Sequence, residues 1–202
     1  MTASTDNTAV VCSAKTGAVL LRLGHHSKRV NSATFSPNGA LILTSSADRT
    51  VVVCDATTGH LLLRLEHHSG EVTSAAFSSC GTRLVSSSHD KTAVICDAKT
   101  GHVLLRLKHH TSSVTAAQFS PDDNGKYVLT SSRDMTAVTC DASTGKVILR
   151  LDHHSDGVNS ATFSHDGKLI LTSSMDKTAV VCEAKTGKPL LRLEHHNKEV
   201  RH

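Results

Sequence analysis

Short apolar runs separated by polar turns fill the chain, and residues 29–65 show the pattern in one stretch. β-Branched and aliphatic residues dominate each run, while the connections carry Pro, Asn, Gly or Asp. Runs of about 5–8 residues between such turns are typical of β-strands, and the frequent breakers disfavour helix. The pattern therefore predicts four antiparallel strands, RVNSATFS (29–36), ALILTSS (40–46), TVVVCD (50–55) and HLLLRL (60–65).

The same stretch recurs along the whole chain. Aligned on one aspartate, the copies follow each other at steps of 42, 42, 44 and 42 residues. A cysteine comes six positions after each aspartate, followed by Thr-Gly, a leucine-rich run with one arginine, and a His-His pair. Self-similarity at a period of about 40–45 residues is typical of repeat proteins, in which each unit buries its faces against its neighbours. The aspartates are Asp6, Asp48, Asp90, Asp134 and Asp176, and the cysteines are Cys12, Cys54, Cys96, Cys140 and Cys182.

This period divides the chain into repeated units. Because four-stranded units of this length are typical of a β-propeller, we predict an all-β fold of four-stranded antiparallel blades, forming a propeller or a segment of one. Two interpretations stay open: the chain is a segment of a longer propeller, or it is a small array that closes imperfectly or by oligomerising. Residues 1–26 hold the last strands of an incomplete blade, 27–66, 67–108, 109–152 and 153–194 are whole blades, and 195–202 start a further one.

The turns and strand ends resemble those of the WD-repeat family, over the entire chain. FSPNG, FSSCG, FSPDDNG and FSHDG resemble that family's F-S-P-D-G turn, and SSADRT with its counterparts resembles S-G-S-x-D-x-T. TGxxLLRLxHH resembles T-G-x-x-L-x-x-L-x-G-H, with two systematic differences. Cysteine replaces the Trp of Trp-Asp, and a second histidine replaces the Gly of Gly-His. The resemblance implies a rigid, non-catalytic scaffold for protein–protein contacts.

The resemblance also implies a hydrogen-bonded set of four residues that locks each blade. In WD repeats the histidine, a strand Ser or Thr, the turn Asp and the Trp form this set. A thiol is a weaker donor than an indole N–H, so we expect half of the lock to survive here. The sets are His26, Thr44, Asp48 and Cys54; His68, Ser86, Asp90 and Cys96; His110, Thr130, Asp134 and Cys140; and His154, Thr172, Asp176 and Cys182. Thr2, Asp6 and Cys12 form an incomplete set, which His196 completes if the ring closes.

Composition and charge narrow the class of partner. The net charge of +4 is spread as isolated Lys and Arg without a basic block, so we expect no nucleic-acid partner. Residues 1–10 lack the layout of a signal peptide, and no apolar run approaches the ~18 residues of a membrane helix. We therefore expect no membrane partner and a cytoplasmic, intracellular location. Equivalent cysteines lie too far apart to bridge, so we expect reduced thiols, buried at the five strand positions.

Metal or redox chemistry is the alternative function. Cysteine, histidine and aspartate are zinc-ligand types, and a His-His pair recurs in every unit. The short paired spacing of zinc sites is absent, and we expect the extra histidines to face solvent. Because Cys and His recur in each unit whereas a catalytic dyad occurs once, we expect no enzyme activity, cofactor or metal site. The extra histidines are His25, His67, His109, His153 and His195.

Residues that break the repeat are the candidates for partner binding. Variable turn positions on a constant scaffold can encode the choice of partner, and neutral drift is the alternative explanation. The expected partners are other proteins, and self-association or membership of a larger complex is a further expectation. The candidates are His89, Arg133 and Met175 in the turn before the aspartate and His165 in another turn, together with Cys80 and the two-residue insertion around Asp123 and Asn124.

Overall fold

A computed structural model describes residues 1–121, 125–194 and 196–200. These residues form β-strands and turns, and no helix among them is long and apolar enough to cross a membrane. The strands lie in five antiparallel sheets, one of three strands followed by four of four strands. Within each sheet the spatial order follows the chain order. The predicted all-β fold of four-stranded blades is confirmed.

The strand bounds follow the repeat. The three-stranded sheet contains β1 (Thr2–Ala3), β2 (Ala9–Cys12) and β3 (Val19–Leu23). The first two blades contain β4 (Val30–Phe35), β5 (Leu41–Ser46), β6 (Val51–Asp55), β7 (Leu61–Leu65), β8 (Val72–Phe77), β9 (Arg83–Ser88), β10 (Ala93–Asp97) and β11 (Val103–Leu107). The last two contain β12 (Val114–Phe119), β13 (Tyr127–Ser132), β14 (Ala137–Asp141), β15 (Val147–Leu151), β16 (Val158–Phe163), β17 (Leu169–Ser174), β18 (Ala179–Glu183) and β19 (Pro189–Leu193).

The hydrophobic core lies between blades rather than inside any one of them. Leu43 and Val53 on one face of the first blade pack against Val72 and Leu84 of the second. The opposite face carries Cys54, which packs with Val11 and other residues of the three-stranded sheet. Because each central strand is covered from both sides, its sequence is a continuous apolar run instead of an alternating one.

A glycine fixes the distance between neighbouring outer strands. Gly59, just before β7, has a φ of +72°, and a Cβ there would lie 3.0 Å from Leu23 at the end of β3. Gly101 repeats the arrangement, where a Cβ would meet Leu65 at 2.6 Å. Glycine satisfies both the left-handed backbone and the close approach in the whole blades, whereas Gly17 of the first sheet has the left-handed backbone but no atom within 4 Å of a Cβ.

The first sheet differs from the whole blades in the exposure of its cysteine. Cys12 is exposed, so the expectation that all five strand cysteines are buried is wrong for this one. Its counterparts Cys54, Cys96, Cys140 and Cys182 are buried because a preceding sheet covers them, and among the described residues no sheet covers that face of β1–β3.

The implied bond of His196 to the first sheet is not formed within the described residues. The side chain of His196 is exposed, and Asp6 instead accepts hydrogen bonds from Thr8. The segment 196–200 follows the last blade: the Val200 N–H donates to the Ser174 carbonyl at 2.9 Å. Val30 makes the equivalent bond to Ser4 at 3.0 Å.

These exposures predict two classes of thiol. Burial raises the pKa of Cys54 to about 11 and that of Cys140 to about 12, whereas hydrogen bonds with Ser78 and Thr82 lower the pKa of the exposed Cys80 to about 7. Because the thiolate is the reactive form, native protein titrated with a disulfide reagent at pH 7.5 should show two fast thiols, Cys80 and Cys12, and four that react only on unfolding. Cys80→Ser and Cys12→Ser should each remove one fast equivalent. Six fast equivalents would contradict the packing.

Candidate functional site

A buried histidine joins three parts of each blade. In the first blade, His26 Nδ1 lies 3.0 Å from Asp48 Oδ2, and its Nε2 lies 2.8 Å from Thr44 Oγ1. The Ser27 amide donates to the same carboxylate oxygen at 3.0 Å. The link that enters the blade is thereby fixed to strand β5 and to the turn between β5 and β6.

The aspartate also shapes its own turn. Asp48 Oδ1 accepts from the Thr50 amide at 3.0 Å and from the Thr50 hydroxyl at 2.7 Å, and the Asp48 amide donates to Ser46 Oγ at 3.1 Å. The residue between, Arg49, has a φ of 75°, a conformation that non-glycine residues adopt at a cost. The side-chain bonds of Asp48 hold the turn in this conformation.

The same network recurs in the other three blades. The histidine–aspartate distance is 2.9 Å in each, and the histidine–hydroxyl distance is 2.8 Å. The residues are His68, Asp90 and Ser86 in the second blade, His110, Asp134 and Thr130 in the third, and His154, Asp176 and Thr172 in the fourth.

The cysteine of each set lies outside the network. Among the described residues, the thiols of Cys54 and Cys96 contact no side chain of the network, Cys140 hydrogen-bonds with the Val128 backbone, and Cys182 Sγ lies 3.6 Å from the Ile170 carbonyl oxygen. The structure thus brings together the histidine, the aspartate and the hydroxyl of each set, and leaves the thiol in the apolar contact with the preceding sheet.

Two residues that the sequence analysis missed join the network instead. Thr50 Oγ1 lies 3.1 Å from His26 Nδ1, and Arg64 Nη1 donates to Thr50 Oγ1 at 3.3 Å. Both have a signal in the sequence: a threonine two positions after the aspartate and an arginine sixteen positions after it occur in all five copies. Arg64 also donates to the carbonyl of His25, which ties the outer strand to the incoming link.

In three of the His-His pairs, the extra histidine bridges two neighbouring sheets. His25 Nε2 donates to the Gly59 carbonyl at 3.0 Å, His67 to Gly101 at 2.9 Å and His153 to Gly187 at 2.9 Å. The expectation that these three side chains face solvent is therefore wrong, because Nε2 of each ring is held by a glycine carbonyl of the next sheet. His109 differs, since its buried Nε2 has no partner among the described residues, and His195 lies outside them.

Burial sets the protonation of the network. It lowers the pKa of His26, His68, His110 and His154 below the ordinary histidine value, although the facing carboxylates act in the opposite direction. Burial alone would raise the pKa of Asp48, but hydrogen bonds from Thr50, the Ser27 amide and His26 outweigh it and bring the pKa to about 2. At neutral pH, Nδ1–H therefore donates to the carboxylate and Nε2 accepts from the hydroxyl.

The metal-binding alternative gains no support from this geometry. Both ring nitrogens of His26 are already used in hydrogen bonds, and Nε2 of His25 is used as well. Across residues 1–121, 125–194 and 196–200, no three side chains of the ligand types converge in a way that would hold a metal ion. The hydrogen bonds give the repeated histidines a structural role.

Three of the four candidate partner-binding residues meet at one end of the inner strands. His89 and Arg133 line a cavity of about 490 Å³, the channel cavity, and Arg133 contacts the sulfur of Met175. His165 precedes β17 whereas Met175 follows it, so these two lie at opposite ends of one strand. Cys80 lies in the turn between β8 and β9, and the insertion around Asp123 and Asn124 falls in the undescribed 122–124.

The wall of the channel cavity is a ladder of polar side chains. One side chain near the start of each inner strand donates a hydrogen bond to the backbone carbonyl of a valine in the following repeat. The pairs are Asn31 to Val72, Thr73 to Val114 and Thr115 to Val158 at 2.8 Å each, and Asn159 to Val200 at 2.7 Å. Charges surround the opening, where Arg29 pairs with Glu71 at 2.7 Å and His89 lies 3.9 Å from the same carboxylate. The cavity thus offers hydroxyl and amide groups in a charged rim.

A comparison of the sequence with models of known protein families finds the same four repeats as the structure. The family model of the WD40 repeat, described as WD domain, G-beta repeat, matches residues 17–55, 59–97, 101–138 and 145–182. These four matches cover most of the chain. No curated protein matches it.

The lowered histidine pKa values predict a loss of stability on mild acidification. The unfolded chain, with histidines near pKa 6.5, takes up protons before the folded chain does, so the free energy of unfolding falls as pH drops from about 7 toward the folded-state pKa. The slope should be about 1.4 kcal/mol per pH unit for each histidine. Urea denaturation between pH 7.5 and 5 measures this slope. A flat profile would exclude buried neutral histidines.

An extra histidine with a hydrogen-bond partner and one without should differ in how much the free energy of unfolding falls when each is replaced by leucine. His67→Leu removes the bond to Gly101 and leaves a carbonyl unpaired, whereas His109→Leu removes a nitrogen that already lacks a partner. We expect His67→Leu to lower the free energy of unfolding by about 1 kcal/mol more than His109→Leu does. Denaturant midpoints of the two variants test this, and equal costs would mean that the bridge contributes nothing.

Proposed function

The chain belongs to the WD40-repeat family, and we propose that it is a non-catalytic scaffold that binds other proteins at its channel cavity. WD40 repeats typically mediate protein–protein contacts and are generally non-catalytic. The observation that carries the proposal for this cavity is the meeting of His89, Arg133 and Met175, positions at which the repeat varies, around one opening. The histidine, the aspartate and the hydroxyl residue of the buried networks, in contrast, are nearly constant from blade to blade.

The chemistry of the opening suits a polar or charged segment of a partner. Arg133 offers a fixed array of donors, and the Glu71 carboxylate lies at the same end, where it pairs with Arg29. The polar ladder below, from Asn31 to Asn159, keeps the wall rigid because each of its side chains is held by a carbonyl of the next blade. A rigid polar surface loses little entropy on binding, which favours specific recognition.

Membership of a longer propeller or a larger complex is a further part of the proposal. On the face of the last blade that points away from the third, Leu171 and Leu191 are 37% and 52% exposed. Leu43, which holds the place of Leu171 in the first blade, is fully buried against the next blade. An exposed apolar face of this kind supports a covered position in an assembly. We also propose an intracellular location, which six cysteines without a disulfide support.

Comparative affinity capture tests the binding site. The full chain, the double variant His89→Ala/Arg133→Glu and the control His165→Ala are immobilised, and retained proteins are quantified by mass spectrometry. We expect the wild-type chain and the control to retain equal amounts of a partner protein. The double variant should retain at least about tenfold less of it, as expected when a hot-spot residue is lost. Equal melting temperatures show that the variants fold. Equal capture by all three would exclude the channel cavity as the binding site.

A further inference from the structure

A groove runs along the outer part of each junction between two blades, and its contents differ from one junction to the next. In the first groove, between β4–β7 and β8–β11, a cavity of about 560 Å³ is open. That volume is within the range of small-ligand sites, about 300–1,000 Å³. The cavity is lined by Leu41, Val53, Leu62, Leu63, Gly81, Thr82, Asp97, Ala98 and Lys99.

The second groove, between β8–β11 and β12–β15, is filled by an arginine of the chain itself. Arg83 stands at the position of Leu41, at the start of β9, and its guanidinium carbon lies 5.1 Å from the centre of the Phe119 ring. Its Nη2 donates to the Gly125 carbonyl at 2.8 Å, and its Nη1 lies 3.5 Å from the Ala142 carbonyl. The groove therefore provides an aromatic face and two backbone acceptors, a suitable environment for a guanidinium group.

The third groove shows the effect of side-chain size. Tyr127 stands at the same position in β13, and the cavity that remains there is about 170 Å³. The residue at this one position is leucine, arginine or tyrosine, and the two longer side chains extend into their grooves. Leu41 is too short to reach the acceptors, so the first groove keeps its full cavity.

The first groove retains the groups that hold the guanidinium in the second. Gly81 and Ala98 occupy the places of Gly125 and Ala142, and the bond from the Ala98 amide to the Thr82 carbonyl, 2.9 Å, matches that from Ala142 to Lys126. Among the described residues, the carbonyls of Gly81 and Ala98 accept no hydrogen bond.

The remaining walls of the first groove carry an aromatic residue and charges of both signs. Phe77, the counterpart of Phe119, packs against the same buried cluster as Leu41 and Leu63, two residues that line the cavity. Asp97 adds a carboxylate at the rim, while Lys99 adds a cation where the second groove has Ser143.

We propose that the first groove is a binding site for the side chain of an arginine presented by another protein. The guanidinium takes the place that Arg83 fills one junction later, against Phe77 and the carbonyls of Gly81 and Ala98, and its methylenes contact Leu41 and Leu63. The presence of a partner protein rests on the proposed function. The preference of the groove for a guanidinium does not, because it follows from the comparison of two junctions of the same chain.

Methyl NMR of the full chain tests the groove directly. The probe is a blocked peptide Gly-Ser-Arg-Ser-Gly, titrated to millimolar concentration, with the matched peptides that carry lysine or citrulline in place of arginine. We expect the arginine peptide to shift the methyl signals of Leu41, Val53 and Leu63, and the other two peptides to bind at least about tenfold more weakly, since neither presents a charged planar fork. Equal shifts with all three peptides, or none, would overturn the proposal.

Exchange of two residues provides a control of identical composition. Leu41→Arg should fill the first groove and abolish the shifts, and Arg83→Leu should open a second site. The double variant Leu41→Arg/Arg83→Leu should move the shifts from Val53 and Leu63 to Ile95 and Leu105. Shifts that stay at the first groove in this variant would refute the assignment. Leu41→Arg should leave capture at the channel cavity intact, so the failure of either proposal is distinguishable from that of the other.

Discussion

The buried imidazole–carboxylate pair is the constraint on which each blade depends. A neutral histidine and an ionised aspartate are stable in the interior only when every polar atom is paired, and His26 and Asp48 reach that state with Thr44, Thr50 and the Ser27 amide. These partners belong to the incoming link, a central strand and the tight turn. The pair therefore fixes where a blade starts relative to its own second strand, and each further blade inherits that position.

Packing between blades depends on this positioning and tolerates an unusual core. The family has a tryptophan where Cys54 and its counterparts stand, and a thiol fills far less space and makes no hydrogen bond to the network here. The outer strand compensates on the polar side: Arg64 reaches Thr50 and the His25 carbonyl, and His25 reaches Gly59. In this chain an arginine joins the outer strand to the incoming link, and a histidine joins that link to the glycine before the outer strand.

Sequence analysis predicted the strands and the four-stranded blades because both depend on local sequence patterns, namely apolar runs and turn residues that recur with one period. It placed His26, Thr44 and Asp48 in one set only through the resemblance to WD repeats. It failed for His25, whose acceptor is a backbone carbonyl 34 positions away, because a carbonyl has no signature in the sequence. It failed for Cys12 as well, since exposure depends on a neighbouring sheet and not on the strand that carries the residue. The recurring arginine of the outer strand was visible, and its meaning required the geometry.

The hydrogen-bonded network is the same in every blade, whereas the residues at the junctions between blades differ. The junctions are therefore where one blade differs chemically from the next. The histidine–aspartate distances in the four networks agree to 0.1 Å. The network residues therefore stabilise every blade in the same way and give no blade a surface of its own. The position held by Leu41, Arg83 and Tyr127 is different, because its side chain lies in the groove at the outer part of a junction, where it can vary without disturbing the buried core. A repeat protein built from nearly identical blades acquires distinct surfaces at such positions. In this chain they are the turn residues around the channel cavity and the first residue of the second strand in each blade.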